Sequence, residues 1–320
     1  MFKALLRASC LALGLSVASA AVFAQAGPVR LIVPYNPGGG SDLFGRLVSP
    51  GLGKALNETV IVENRAGAGG IIGTEAVVRS TPESKMLLVS DSAVYTIIPS
   101  LYPSLSYSRK DLVPVANLAT FGNVLVVPAG SPFKTFQDLL DAARKSPGSL
   151  TIGSSGTGGI THLAAEKLME QAKIKLVHVP YKGSGPAISD TVGGHLDMVF
   201  TGLPSVLELL KAGKLRALAI ATPERSPYAS DVPTISEAGV PGFAAMISQG
   251  LFAPAGTPPE TVQKLNQAIQ DFMREPDTQE TLRKMMVEPV YQSAAQYQQW
   301  LDGEAQEWAA LIKRANVKVE

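Results

Sequence analysis

The 320-residue chain contains one cysteine and three histidines, and only 17% of it is charged. Cys10 lies in a segment expected to be removed, so disulfides, cysteine metal sites and thiol catalysis drop out together. His162, His178 and His195 show no metal-ligand spacing, and neither a metal nor a cofactor is expected. With 28 basic and 27 acidic residues the formal charge is +1. Such a chain has no field to hold a polyanion, so nucleic acid is not expected as a partner. After the first 26 residues no apolar run approaches the roughly 20 residues that span a bilayer. Disorder is excluded from the other side. Hydrophobic residues make up 46%, well above what an unfolded, charge-rich chain carries. The length fits about two domains of roughly 100–200 residues each.

Residues 1–26 have a different character. Lys3 and Arg7 open the chain, residues 8–22 are uncharged and mostly apolar, and small residues follow at Ala18, Ala20, Ala24 and Ala26. This is the layout of a secretory signal peptide cleaved near residues 24–26. The alternative is a membrane anchor, for which the apolar core is short. Cleavage removes Lys3 and Arg7 and no acids, leaving 26 basic against 27 acidic residues, a net charge of −1. The expectation is an exported, periplasmic, cysteine-free protein.

The rest alternates short apolar runs with helical patterns, the signature of an α/β protein. Strands are expected at 29–33, 60–62, 86–89, 124–127, 151–152, 176–179, 198–200 and 217–221. Helices are expected at 42–56, 73–79, 135–145, 161–171, 187–192, 204–212, 259–273 and 294–314. A strand–glycine/serine loop–helix unit occurs near 29–56 and again near 151–171. That fits two similar lobes, each offering one loop.

The nucleotide and hydrolase motifs fail on inspection. A P-loop ending at Gly53-Lys54 or Gly213-Lys214 would need glycine where Val48 and Glu208 stand. Dinucleotide fingerprints starting at Gly67 or Gly156 meet Ile72 and Thr161 instead of a third glycine. A nucleophile elbow centred on Ser155 meets Thr157. What remains is binding. Gly39, Gly40, Ser41 and Asp42, and then Ser154, Ser155 and Gly158, each lead into a helix. The first turn of a helix has unpaired N–H groups and the positive end of the dipole, so each loop is a candidate anion site. Plainer readings stand beside this. The loops serve equally as tight turns, and Asp42 as a helix cap. Thr161 and His162 fall in the first turn of their helix, where His162 is either a neutral hydrogen-bonding group or a surface residue. Tyr35 and Tyr181 either line a pocket or pack.

Seven segments in register then resemble the Bug family of extracytoplasmic receptors, the binding components of tripartite tricarboxylate transporters. They are VPYNPGGGSD (33–42), VENRAGAGGIIG (62–73), SSGTGGITH (154–162), HVPYKGSGPA (178–187), AGKLRALA (212–219), DVPTISEAGVPG (231–242) and GLFAPAGTPP (250–259). The resemblance implies a two-lobe periplasmic binding protein, type II-like, with the ligand cleft between lobes joined by two crossover segments near 121–127 and 247–253. Lobe one would be residues 27–123 plus 249–320, and lobe two residues 124–248. It implies a monomer without catalytic residues that binds a small organic carboxylate, closes on it and hands it to a membrane permease or a sensor. Malate, succinate, citrate, adipate, an aromatic acid such as terephthalate, and nicotinate-like acids all stay open. Gly39, Gly40, Ser41 and Asp42 match the first-lobe loop. Ser154, Ser155, Gly158, Thr161 and His162 match the second, and Tyr181 sits in the Tyr-Lys-Gly turn. Ser90, Asp91 and Ser92 match more loosely, after a strand whose end faces the cleft. One departure has a consequence. Where the family often has an aspartate, this chain has Thr201, which cannot pair with a ligand ammonium, so an acid without an amino group is expected.

Two other functions compete with this one. An exported serine hydrolase would use Ser154 or Ser155 with His162. A partner-binding or sensing module would take no small ligand.

Overall fold

Four of the five residues of Val29–Val33 are buried, as in a strand covered on both faces. In the computed structural model, which describes residues 27–227, 229–287 and 289–318, this is strand β1. The expected signal peptide falls on residues 1–26, outside that range. After β1 come α1 (Gly40–Leu56), β2 (Val60–Asn64), α2 (Ile71–Val78), β3 (Met86–Asp91), α3 (Ala93–Thr96), α4 (Ile98–Leu101) and β4 (Leu112–Pro128). Next are α5 (Phe136–Lys145), β5 (Thr151–Ser154), α6 (Ile160–Ala172), β6 (Val177–Pro180), α7 (Ser184–Val192), β7 (Met198–Gly202), α8 (Leu207–Lys211) and β8 (Leu215–Ile220). The chain closes with β9 (Met246–Pro254), α9 (Pro259–Arg274), α10 (Pro276–Lys284) and α11 (Ala294–Arg314).

The sheet runs β2-β1-β3-β9-β4-β7-β5-β6, with β8 also on β4. Its two halves repeat one plan. In the first, β1 lies between parallel β2 and β3, and antiparallel β9 follows. In the second, β5 lies between parallel β6 and β7, and antiparallel β4 follows. Parallel neighbours require crossovers, and the helices supply them. Strand β4 belongs to both halves. Its residues 112–122 pair with β9 and its residues 123–128 with β7 and β8. This is an α/β, two-lobe architecture joined by β4 and the segment entering β9.

In this region the sequence pattern placed a strand only at 124–127 and left 112–123 unassigned; that stretch holds Pro114, Asn117 and Gly122, which are uncommon inside strands. The structure accommodates Pro114 and Asn117 at register shifts between Pro114 and Ala116 and between Asn117 and Ala119, while Gly122 pairs in regular register with Met246. The nine-residue α10 also went unread.

Helix α5 illustrates how the flanks form. Thr135 and Asp138 make a capping box, and Phe136, Leu139, Leu140 and Ala143 bury one face. Ser293 and Gln296 cap α11 in the same way. Among the described residues no helix is long and apolar enough to cross a membrane.

Candidate ligand-binding cleft

Three helices that meet between the lobes lack such caps. Gly39 precedes α1, Gly159 precedes α6 and Gly183 precedes α7, and none has a side-chain cap bond. Their first turns converge on one cleft at the carboxyl ends of β1, β3, β5 and β7, the edge where open α/β sheets take ligands. Gly39, Gly40 and Ser41 line it from α1, and Ser155, Ile160 and Thr161 from α6. Ser184, Gly202 and Ser205 add the α7 and β7 side, and Tyr35, Asp91 and Gln249 the lobe-one side. Phe121 and Ile247 form its apolar floor, with Phe121 stacked on Phe44 at 5.8 Å between centroids.

The lobes are drawn together. The Asn36 N–H donates to the Lys182 carbonyl across the cleft at 2.8 Å. The Tyr102 hydroxyl donates to the Thr157 carbonyl at 3.3 Å. The partly open cleft between the lobes leaves about 20 Å³ of free space, roughly the room of one ordered water. The lobes must therefore part to admit an organic acid.

Internal hydrogen bonds fix the polar wall. Ser41 Oγ donates to Gln249 Oε1 at 2.9 Å and accepts the Asp91 N–H at 3.2 Å. That leaves the Gln249 Nε2 facing Gly40. Across the cleft the Ser155 N–H donates to Thr161 Oγ1, and the two hydroxyls lie 2.9 Å apart. Among the described residues no lysine, arginine or histidine lines this space. Its positive potential comes from backbone N–H groups and helix dipoles.

Six of the thirteen expected site residues line the cleft: Tyr35, Gly39, Gly40, Ser41, Ser155 and Thr161. The other seven are placed elsewhere, each for a local reason. Asp42 is not the helix cap of its plainer reading, a position that Gly39 holds; it lies in the first turn of α1 and turns back to accept the Gly38 N–H and the Asn64 amide. Although burial opposes it, hydrogen bonds from Arg46, Asn64 and Gly38 hold its carboxyl below the usual range. Ser92 is fully buried beneath the wall, and its neighbour Asp91 takes the lining position. Ser154 Oγ sits 2.6 Å from His178 Nε2. Gly158, at φ +77°, packs against Leu101 and Tyr102 of lobe one. His162 Nδ1 accepts the Gly158 N–H at 3.1 Å, and its Nε2 lies 3.4 Å from Glu166, an acid one turn on that the reading of the histidines passed over. Tyr181 donates to Asp190 at 2.6 Å and with His162 lines a separate outer cleft. Thr201 is fully buried at the end of β7, and its hydroxyl has no partner among the described residues.

The residues that pattern reading missed are mostly apolar or isolated. Phe121, Ile160 and Ile247 carry no motif. Ser184 lies in the quoted HVPYKGSGPA segment, and a glycine–serine step before a helix is the signal that marks it.

A hydrolase assignment meets two obstacles here. Ser155 Oγ is bonded to Thr161 rather than to a histidine. Ser154 does meet His178, but burial, followed by the nearby His162 stacked on it at 4.0 Å, pushes His178 down to about 3. A base that weak is poorly matched to neutral pH.

This fold and cleft define the class: a two-lobe solute-binding protein. The chain is a member of the tripartite tricarboxylate transporter receptor family, the Bug family, whose model matches residues 44–317. BugT of Bordetella pertussis is 33% identical over 317 residues, covering 96% of this chain and 97% of that protein. Among solved structures, R. palustris Rpa4515 with adipate superposes with a TM-score of 0.87 at 30% identity, covering 91% of this chain and 98% of that one. MatC from Rhodopseudomonas palustris with bound malate gives 0.84 at 29%, covering 89% and 98%.

Proposed function

We propose that this chain is a periplasmic receptor for a small organic carboxylate, which it delivers to the permease of a tripartite tricarboxylate-type transporter. The observation that carries the reading is the convergence of three uncapped helix N-termini, those of α1, α6 and α7, on one interlobe cleft without a basic side chain. Unpaired N–H groups on opposite walls suit a carboxylate at each end of a small molecule. The similar receptors named for adipate and malate support a diacid-sized ligand.

In this reading lobe one is residues 27–123 with 249–320 and lobe two is residues 124–248, so the hinge falls in β4 and early in β9. The ligand reaches both walls only when they are together, and it therefore shifts the population toward closure. Export places the receptor in the periplasm, and the permease reads the closed face. The binding role of Gly39, Gly40, Ser41, Ser155 and Thr161 belongs to the same proposal.

Native mass spectrometry of the purified protein, followed by thermal shift against an organic-acid library, tests it. A ligand at 100 times its dissociation constant adds about 2.7 kcal/mol. An adduct of carboxylic-acid mass and a shift of that order are expected. A library of mono-, di-, tri- and aromatic acids without one responder would end the proposal.

A further inference from the structure

Asp91 stands at the end of β3 and lines the cleft, 5% exposed, and among the described residues no cationic side chain lines the same space. Its N–H is tied to Ser41 Oγ, which fixes it beside the first turn of α1. Its Oδ1 accepts the Ala93 N–H at 3.0 Å. Tyr35 shares this wall. Its hydroxyl is buried, without a formed hydrogen bond among the described residues. The groups facing Asp91 are Tyr35 from the end of β1, Ser41 from α1, Gln249 from β9, and the more distant Tyr107 and Tyr297. All are neutral in the physiological range. Burial pushes Asp91 up to about 6, partly offset by the Ala93 N–H and by the Tyr35 hydroxyl beside it.

A carboxylate docked on α1 would thus bring a second negative charge next to Asp91 in a nearly dry space. A plain diacid leaves that repulsion unrelieved. A hydroxyl on the adjoining carbon supplies one neutral donor and leaves the charge uncompensated. An ammonium there turns the repulsion into a charge-assisted hydrogen bond, and Tyr35 Oη offers a second acceptor.

We propose that Asp91, with Tyr35 beside it, determines the specificity of the cleft and selects an organic acid that carries an ammonium next to the carboxylate held by α1. The ligand class is an α-amino acid whose second carboxylate is held by α6. This rests on the reading as a carboxylate receptor. It reverses the expectation drawn from Thr201, because the acid absent at the end of β7 is supplied from β3.

Titration calorimetry with matched pairs decides it: aspartate against succinate and malate, and glutamate against glutarate, between pH 5 and 8. The wild type should favour each amino acid over its plain partner by at least about 30-fold. That preference should fall as pH drops through about 6, where Asp91 loses its charge. Asp91→Asn should erase it and leave the plain diacids bound as well as before or better. Plain diacids that bind the wild type as tightly as their amino partners would overturn the inference. So would plain diacids whose affinity falls together with that of the amino acids as pH drops through about 6, because loss of the Asp91 charge relieves their repulsion and should raise it. If Asp91→Asn does not fold, the wild-type pairs and the sign of the pH effect still decide. If no acid of any kind binds, the receptor reading itself falls; if plain diacids bind equally well, only this inference falls.

Discussion

Gly185 in the first turn of α7 faces the Pro37 carbonyl of the opposite lobe so closely that a Cβ on it would lie 2.4 Å from that oxygen. The contact exists only when the lobes are together. Gly185 has an ordinary helical position, and alanine is the better helix former by roughly 1 kcal/mol in a helix interior. Gly185→Ala should therefore hold or raise the unfolding midpoint of the ligand-free protein. The same change obstructs closure and should lower ligand affinity by an order of magnitude or more. Thermal melts and calorimetry on one preparation read both effects. Unchanged affinity would mean that the receptor works without bringing these segments into contact.

The hydroxyl pair on the α6 wall gives a second prediction. Thr161 is 2% exposed, and its Oγ1 accepts the Ser155 N–H while meeting the Ser155 hydroxyl. Thr161→Val keeps the volume and removes these partners, leaving a buried donor unmet. A stability loss of about 1–3 kcal/mol is expected in denaturant unfolding. The Ser155 loop loses its anchor, so affinity should fall further than for a comparable substitution at Ser189, which is exposed on α7. Equal effects at the two sites would remove Thr161 from the binding wall.

Asp91 makes a third prediction, about stability without ligand. Its folded pKa of about 6 lies above the unfolded value near 3.9. The fold therefore favours its protonated form. Its penalty is absent below about pH 4, grows as pH rises to about 6 and is constant above. A shift of that size corresponds to about 3 kcal/mol as an upper figure. Asp91→Asn should stabilise the ligand-free protein at pH 7.5 by up to that amount, and the advantage should vanish near pH 4. A variant less stable than the wild type at pH 7.5 would show that the Ala93 N–H and Tyr35 favour the carboxylate more than burial penalises it.

Most of this architecture was readable because its parallel strands are short, apolar and separated by helical periods. Strand β1 has the boundaries the pattern gave, and α11 likewise. The joining strands were harder. Residues 112–123 of β4 carry proline, asparagine and glycine that only a long-range partner, β9, makes compatible with a strand. In the site, glycine-serine loops announce themselves through backbone chemistry, so Gly39, Gly40, Ser41, Ser155 and Thr161 could be found locally. Asp91 and Gln249 are adjacent only because β3 pairs with β9, and no local pattern contains that fact. Conversely, His162 and Tyr181 lie in quoted motifs yet serve the loops, by accepting from Gly158 and donating to Asp190.

The last prediction sets two buried groups against each other. His178 is pushed down to about 3, first by burial and then by His162. Its folded pKa lies below the unfolded value near 6.5, so the fold holds the neutral ring. The stability it contributes is complete above pH 6.5 and is lost progressively as pH falls toward 3. Asp91 acts in the opposite direction over an overlapping range, because protonation below about 6 relieves its penalty. Between pH 6 and pH 4 the two slopes partly cancel in the wild type, and single replacements separate them. His178→Gln keeps a polar partner for Ser154 and removes the titration, so stability should rise, or fall less, as the solution is acidified. Asp91→Asn removes the compensating slope, so its stability should fall more steeply than the wild type. Denaturant midpoints at four pH values between 4 and 7.5 read the signs directly. Parallel profiles for all three proteins would mean that neither group is perturbed by its surroundings, and the dry, cation-free character assigned to the cleft wall would go with them.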